Sequence, residues 1–158
     1  NFHNRGKRQE EQIEVLRLLW EQEIVSYQGR WHRVTHAGLN PLPRRRIPIW
    51  LGGMADAALE RAGRLADGWF PQVPPDERGK AQLATVHAAL EKAGRDARSF
   101  GIEPMGRVAG GTPESWRAHA QGWHALGATH LAIGTMGAKL ATPEAHLKAA
   151  IDYKAAIA

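Results

Sequence analysis

The spacing of apolar residues changes several times along the chain, and each change predicts a different element. Between Gln9 and Gln22 they recur every three or four positions, which is typical of an amphipathic helix (Ile13, Leu16, Leu19 and Trp20). On either side of Gln28-Gly29, two short stretches at 24–27 and 31–34 predict a β-hairpin. A loop rich in proline and glycine follows, and it leads to a more regular part of the sequence.

This second part alternates short apolar stretches with segments of helical period. The stretches 47–51, 66–71, 100–105 and 130–134 predict strands, and the segments 56–65, 76–93, 112–126 and 142–157 predict helices. Thr112-Pro113 and Thr142-Pro143 are signals for a helix start, whereas Pro104 weakens the third strand. Repeated strand–helix units predict a parallel sheet covered by helices. Both a doubly wound sheet and part of a (β/α)8 barrel fit this pattern.

Composition narrows the class of protein. A chain of 158 residues is long enough for one domain with a real core. It has no apolar stretch that could cross a membrane and no signal-peptide pattern. The absence of cysteine excludes disulfides and thiolate metal sites, and we expect a cytoplasmic protein with no membrane partner. The net charge of +5 favours anionic ligands, but the basic residues are scattered, so no nucleic acid partner is expected.

One turn in the second part has the composition of an anion site. The apolar strand 47–51 ends in Gly52-Gly53, and a segment of helical period follows directly. Such a turn presents bare backbone N–H groups at the positive end of a helix dipole, where phosphate is the usual guest. From the turn alone, a tight structural turn that needs glycine for its geometry is the more common interpretation.

The sequence shows no metal-binding spacing of histidines and no familiar catalytic motif. His119 and His124 lie five positions apart on one predicted helix, which is the wrong spacing for two ligands on one face, and the other six histidines have no paired spacing. There is no HExxH-like motif, no Gly-x-Ser-x-Gly elbow and no Walker loop. We therefore expect no metal site and no nucleophilic hydrolysis.

Several segments, taken in order, resemble the motifs of one family. They are the helix 8–20, the hairpin segment 26–31, Asn40-Pro41-Leu42-Pro43, the strand and turn 47–53, the segment 57–69 that ends in Ala66-Asp67-Gly68-Trp69, and the pair 128–131 and 134–138. In these segments the chain is similar to the C-terminal part of the bacterial luciferase-like monooxygenase superfamily, whose members use FMN or the deazaflavin coenzyme F420. The resemblance covers nearly the whole chain.

The resemblance implies a TIM barrel, of which this chain supplies the C-terminal half. Residues 1–158 would form strands five to eight of one domain, with an inserted hairpin around 24–34. A complete barrel needs about 250 residues. Half a barrel leaves two open strand edges and an apolar inner face. We therefore expect that the N-terminal half is missing from this chain, or that the half barrel pairs with a second copy, as a homo-oligomer (dimer), or with another chain.

The resemblance also assigns the site. Gly52, Gly53 and the Met54 backbone N–H would hold the cofactor phosphate, and Gln72 would make a polar contact to the cofactor. Asp67 and Trp69 are expected to be structural, and Trp31 either lines a pocket or holds the hairpin. Exposed charges near the predicted site mouth are less favoured candidates (Arg5, Lys7, Arg8 and Lys139).

The chemistry would follow from the cofactor. The Thr135-Met136 segment resembles the tail of the F420-dependent subgroup, so we expect hydride transfer between F420 and a small organic substrate. An FMN-dependent monooxygenase is the alternative, and a non-catalytic half barrel that acts as an accessory or interaction chain is the alternative of another class. Catalytic acid–base residues in this superfamily come mostly from the first four strands, so we name no catalytic residue in this chain.

Overall fold

The structure, a computed structural model, describes residues 2–158 and divides into two units, Asn1–Ile49 and Trp50–Ala158. In the first unit a 3-10 turn at Phe2–Asn4 leads into helix α1, Arg5–Glu21. The helix starts four residues earlier than the apolar period predicted, so Arg5, Lys7 and Arg8 lie within its first turns and not before it. No helix among residues 2–158 is both long and apolar enough to cross a membrane.

The predicted hairpin is present, with its second strand displaced. Strand β1, Val25–Gln28, pairs antiparallel with β2, Arg33–Ala37, and the register is irregular between Val25 and Tyr27. The loop therefore spans 29–32 and is longer than the Gln28-Gly29 turn we predicted. The hairpin extends three residues beyond its predicted end at 34, to Ala37.

A buried carboxylate fixes this loop to α1. Glu11 is 9% exposed, and it accepts hydrogen bonds from the backbone N–H groups of Arg30, Trp31 and His32 at 2.6–3.0 Å. The His32 Nδ1 also lies 2.9 Å from the carboxylate. A Cβ at Gly29 would stand 2.3 Å from Glu11 Oε1, so the loop needs glycine for this close approach.

The second unit contains the four predicted strand–helix repeats. Its elements in chain order are β3 Trp50–Gly52, α2 Asp56–Leu65, β4 Gly68–Phe70, α3 Glu77–Lys92, β5 Gly101–Ile102, β6 Met105–Arg107, α4 Pro113–Ala125, β7 Ala132–Gly134 and α5 Pro143–Ile157, with a 3-10 turn at Ala97–Ser99 between α3 and β5. The helix bounds follow the predicted ones closely. The strands are shorter, and β3 begins at Trp50 because Pro48 has no N–H to donate to a ladder.

All strands of the second unit are parallel to their neighbours. β3 pairs with β4 and β4 with β5, while β6 pairs with β7. The predicted third strand is thus divided at Glu103-Pro104 into β5 and β6, since Pro104 cannot donate to the ladder. Strands that follow one another in the chain lie side by side. This is the order of a barrel segment, whereas a doubly wound sheet reverses its order.

The two faces of these sheets differ in burial. Leu51, Trp69 and Ile102 are buried on the face covered by helices. On the opposite face, Trp50 lies across Gly68 and Gly101, where any Cβ would stand 2.1–2.3 Å from its ring atoms. Phe70, whose ring centroid is 5.3 Å from that of Trp50, is 37% exposed. The helices of this unit therefore cover one face of its sheets and leave an aromatic face open.

Candidate functional site

The two glycines that follow β3 have different structural environments. Gly53 has φ +134°, a conformation that L side chains rarely adopt, and its Cβ would stand 2.7 Å from that of Ala58. A Cβ at Gly52 would stand 3.6 Å from Gln72 Nε2 and 3.9 Å from Phe70 Cβ, which are ordinary van der Waals contacts. The fold therefore requires glycine at position 53 but leaves room for a side chain at position 52.

The carbonyl groups of this turn are hydrogen-bonded to side chains of the core. Trp69 Nε1 donates to the Gly53 carbonyl at 3.3 Å, and Gln82 Nε2 donates to the Met54 carbonyl at 3.2 Å. The backbone N–H groups of Gly53 and Met54 donate to no group in the part of the chain that the structure describes. Carbonyls bonded inward and N–H groups left free form a turn that can receive an anion.

Helix α2, which this turn opens, has no side-chain cap. Its N-cap residue is Ala55, whereas the other three helices of the second unit are capped by side chains (Asp76, Thr112 and Thr142). The first N–H groups of α2 therefore lack the side-chain acceptor that the other three helices have. Asp56 adds a negative charge to the first turn of α2. Arg78 brings a positive charge to the turn, with its Nη2 3.9 Å from Met54 Sδ.

A cavity of about 860 Å³ brings two of the predicted site residues together. Gly52 and Gln72 both line it, at the carboxyl ends of β3 and β4. In parallel α/β folds this end of the strands is where ligands bind. Gly53 and Met54 lie in the turn beside the lining, and the Met54 side chain is exposed. Sequence reasoning missed Arg78, because only the fold brings the first turn of α3 to this turn.

Among the less favoured candidates, Lys139 is exposed in the loop after β7 and does not line this cavity. Arg5, Lys7 and Arg8 belong to the first unit, where they are exposed on α1. Two other residues, Trp69 and Asp67, are expected from the sequence to be structural. Trp69 is fully buried, and Asp67 Oδ1 lies 3.9 Å from Arg95 Nη2.

A second wall of the cavity is formed by side chains from α4 and α5. Trp116 and Tyr153 stack with ring centroids 4.9 Å apart, and His119 lines the same cavity. In the described chain their polar atoms, Trp116 Nε1, His119 Nε2 and Tyr153 OH, are shielded from solvent and have no hydrogen-bond partner. An unsatisfied buried polar atom costs about 1–3 kcal/mol.

Burial also fixes the protonation of this wall. It lowers the pKa of His119 and raises the pKa of Tyr153, so both side chains are neutral at pH 7. Trp116 and His119 lie on the helix predicted over 112–126, but nothing in their spacing along that helix shows that their polar atoms lack partners. No group of three or more potential metal ligands occurs within residues 2–158.

Parallel strands in sequential order, each followed by a helix, with a cavity at their carboxyl ends, define a segment of a TIM-barrel enzyme fold. The particular family is given by a family model that matches residues 1–155: the chain belongs to the luciferase-like monooxygenase family.

Relatives with characterised names fall into two cofactor groups. The chain is 32% identical over 93 residues to an F420-dependent glucose-6-phosphate dehydrogenase of Microbacterium testaceum, a match that covers 58% of this chain and 28% of the relative. It is 34% identical over 84 residues to an FMNH(2)-dependent dimethylsulfone monooxygenase of Pseudomonas fluorescens. That match covers 53% of this chain and 23% of the relative. An uncharacterised Mycobacterium tuberculosis protein is 40% identical over 95 residues, a match that covers 60% of this chain and 32% of that protein. The matches thus span a third or less of these relatives' length.

Solved structures agree on the fold. An F420-dependent secondary alcohol dehydrogenase superposes with a TM-score of 0.61 at 16% identity, over 96% of this chain and 53% of that one. The coenzyme F420-dependent tetrahydromethanopterin reductase of Methanopyrus kandleri gives a TM-score of 0.67 at 13% identity. This superposition covers 83% of this chain and 58% of the reductase. The chain therefore spans little more than half of each fold.

Proposed function

We propose that this chain is the cofactor-binding part of an F420-dependent oxidoreductase that transfers hydride to or from a small organic substrate. The observation that carries the proposal is the turn after β3. Its N–H groups are free, its helix is uncapped, and its Gly52 is a glycine that the packing of the chain does not require. Close approach of a phosphate group to the backbone explains that glycine.

The residues present fit the phosphate that F420 and FMN both carry. Gly52, Gly53 and the Met54 N–H would hold it through the backbone, and Arg78 would offset its charge together with that of Asp56. Gln72, beside Gly52 on the cavity wall, would orient the cofactor through its side-chain amide. When bound, F420 would be the group that accepts or delivers the hydride. The protein would bind and orient it and exclude water from it.

F420 is favoured over FMN by the curated relatives. Relatives from two further organisms are also F420-dependent glucose-6-phosphate dehydrogenases, and another is an F420-dependent hydroxymycolic acid dehydrogenase of Mycobacterium tuberculosis. The FMNH(2)-dependent relative keeps an FMN-dependent monooxygenase as the second candidate.

The proposal includes the position of the chain within its barrel. We place β3, β4, the divided strand β5–β6, and β7 as strands five to eight of one luciferase-like barrel domain over 1–158, with the hairpin inserted before them. The sequential parallel order and the open aromatic face support this placement. The first four strands would come from another segment or another chain, together with the acid–base residues.

The test is a paired fluorescence titration of the protein with F420 and with FMN. We expect saturable F420 binding and weaker or no FMN binding. Binding of FMN alone would instead support the monooxygenase. Binding of neither would contradict the phosphate site and support a non-catalytic accessory half barrel.

Two variants sharpen this titration. Gly52→Ala adds a Cβ that meets only ordinary van der Waals contacts within the chain but blocks close approach of the phosphate to the backbone, so we expect the dissociation constant to rise about tenfold or more. Leu147→Met changes only an exposed side chain of α5 that does not line the cavity, so it is the control and is expected to bind as the wild type does. Equal affinities for all three proteins would contradict the backbone cradle.

A further inference from the structure

Two buried side chains hold the carbonyl groups of the turn after β3. Trp69, on β4, is fully buried, and its Nε1 donates to the Gly53 carbonyl at 3.3 Å. Gln82, on α3, is 8% exposed, and its Nε2 donates to the Met54 carbonyl at 3.2 Å. The two hydrogen bonds thus come from different elements of the second unit and reach consecutive peptide groups of the turn.

Each of these hydrogen bonds sets the direction of one backbone N–H. The peptide groups that join Gly53 to Met54 and Met54 to Ala55 are trans, so the N–H of each points away from its own carbonyl. Because the Gly53 carbonyl faces Trp69 in the core, the Met54 N–H points outward. By the same geometry, Gln82 directs the Ala55 N–H outward. Neither N–H donates to any group in the described chain.

The bond to Met54 uses only half of the Gln82 amide. In the described chain the Gln82 Oε1 is shielded from solvent and has no hydrogen-bond partner. An unpaired buried oxygen destabilises a fold, and an apolar side chain of similar length, such as methionine, would not have one. Packing alone therefore does not explain a glutamine at position 82, whereas the need to fix the Met54 carbonyl does.

Helix α3 presents a second side chain to the same residue of the turn. Arg78 and Gln82 lie four positions apart, which places them on one face of the helix. Arg78 Nη2 lies 3.9 Å from Met54 Sδ, while Gln82 bonds the Met54 backbone. One face of α3 therefore both supports the turn and brings a positive charge to it.

We propose that Trp69 and Gln82 are positioning residues for the cofactor phosphate, Trp69 by aiming the Met54 N–H at it and Gln82 by aiming the Ala55 N–H. Each side chain acts through the peptide group that it holds. N–H groups that are already oriented bind an anion more tightly, because binding does not have to order them. This inference adds the Ala55 N–H to the site and gives Trp69 a role beyond packing. It deepens the proposed function and rests on it.

The two N–H groups can be observed one at a time. Gly-Met and Met-Ala each occur once in the sequence, at 53–54 and 54–55. Labelling with ¹³C-carbonyl glycine and ¹⁵N-methionine therefore leaves only the Met54 amide in a carbonyl-filtered ¹H–¹⁵N spectrum. Labelling with ¹³C-carbonyl methionine and ¹⁵N-alanine leaves only the Ala55 amide. The probes are inorganic phosphate, F420, and sodium chloride at matched ionic strength.

In the wild type we expect phosphate and F420 each to move both signals downfield in a saturable titration, and chloride to move neither. Gln82→Met should reduce the Ala55 shift at saturation about twofold or more and keep the Met54 shift, while the F420 dissociation constant rises about tenfold. Trp69→Phe should give the reverse pattern, with a smaller Met54 shift and an unchanged Ala55 shift.

Each variant has a control that carries the same substitution. Gln121→Met changes an exposed glutamine of α4. Trp123→Phe changes another fully buried tryptophan, whose Nε1 has no partner in the described chain and whose ring centroid is 6.2 Å from that of Trp69. Neither control removes a hydrogen bond to the turn, so both should keep the wild-type shifts and dissociation constants.

The proposal is overturned if Gln82→Met and Trp69→Phe keep both wild-type shifts, if each reduces the two shifts equally, or if Trp123→Phe gives the same result as Trp69→Phe. The wild-type titration separates this inference from the proposed function. Wild-type binding, with variants that respond as the wild type does, rejects the positioning roles alone. If neither phosphate nor F420 moves either signal in the wild type, the phosphate site itself is rejected, and the positioning roles with it.

Discussion

Gly52 and Gly53 are neighbours with the same side chain, but the physical demand on each is different. Gly53 occupies a positive-φ conformation and has Ala58 against it, whereas Gly52 meets only ordinary contacts. We expect Gly53→Ala to lower the free energy of unfolding by about 1–3 kcal/mol. Gly52→Ala should leave it unchanged or raise it by about 0.4–1 kcal/mol, because alanine restricts the unfolded chain.

Urea unfolding of both variants and the wild type measures these differences. Equal destabilisation by the two substitutions would mean that Gly52, like Gly53, is needed for the turn itself. The argument that Gly52 serves a ligand would then fail.

Glu11 makes a pH-dependent contact at the residue scale. Burial raises its pKa, but hydrogen bonds from the backbone of Trp31, His32 and Arg30 and from the His32 side chain outweigh it and hold the pKa of Glu11 below the usual 4.5. A carboxylate with a depressed folded pKa contributes stability that is present above about pH 4.5 and is lost as the pH falls through the folded value.

Glu11→Gln should therefore lower the thermal midpoint at pH 7 and flatten its decline on acidification. Melting curves recorded from about pH 7 to about pH 3 check this, and the two proteins should converge at the acidic end. Parallel declines would show that Glu11 is not the titrating group of the hairpin loop.

At the scale of elements, the sequence predicted the helices better than the strands. Caps and glycines mark helix ends locally, as at Thr112 and Gly127, and the structure has both. Strand length depends on which neighbours pair, so the division at Pro104 could be suspected from the sequence but not located.

The candidate site, like the strands, could be predicted only in part from the sequence. Gly52 and Gln72 were found through sequence motifs, and the fold does place them on one cavity. Arg78 was not, because α3 brings it to the turn from a distant part of the chain, and no local pattern records that approach.

The uncapped start of α2 gives a prediction at this scale. Ala55→Asp places a capping carboxylate at the N-cap, which should raise the free energy of unfolding by about 1 kcal/mol. The same carboxylate competes for the N–H groups that we assign to phosphate, so the cofactor dissociation constant should rise about tenfold.

Ala57→Glu separates charge repulsion from competition for the N–H groups as the cause of weaker cofactor binding. It adds a charge to the first turn of α2 at an exposed position that is not the N-cap. Fluorescence titration and urea unfolding of both variants are compared. A loss of affinity that is equal in the two variants would assign the effect to charge repulsion and not to competition for the N–H groups.

For the molecule as a whole, the helices of the second unit leave one face of its sheets uncovered. Phe70 is 37% exposed and Met105 is 54% exposed, both on the face that the unit's helices do not cover. An apolar sheet face of this kind, next to open strand edges, favours association with matching strands. We expect the chain alone to self-associate through this face, as a dimer or a larger species, with a weight-average mass above 17.4 kDa in sedimentation equilibrium.

Charged substitutions on the face test this expectation. Phe70→Glu and Met105→Lys should each shift the equilibrium toward the monomer, because a charge cannot be buried in the contact without a partner. Met136→Lys is the matched control, since Met136 is 91% exposed in the loop after β7, and this variant should associate as the wild type does.

A wild-type chain that stays monomeric at all concentrations would contradict pairing with a second copy. It would leave an upstream segment or a different chain as the source of complementary strands that our proposal allows. Equal association of all four proteins would place the contact elsewhere on the molecule.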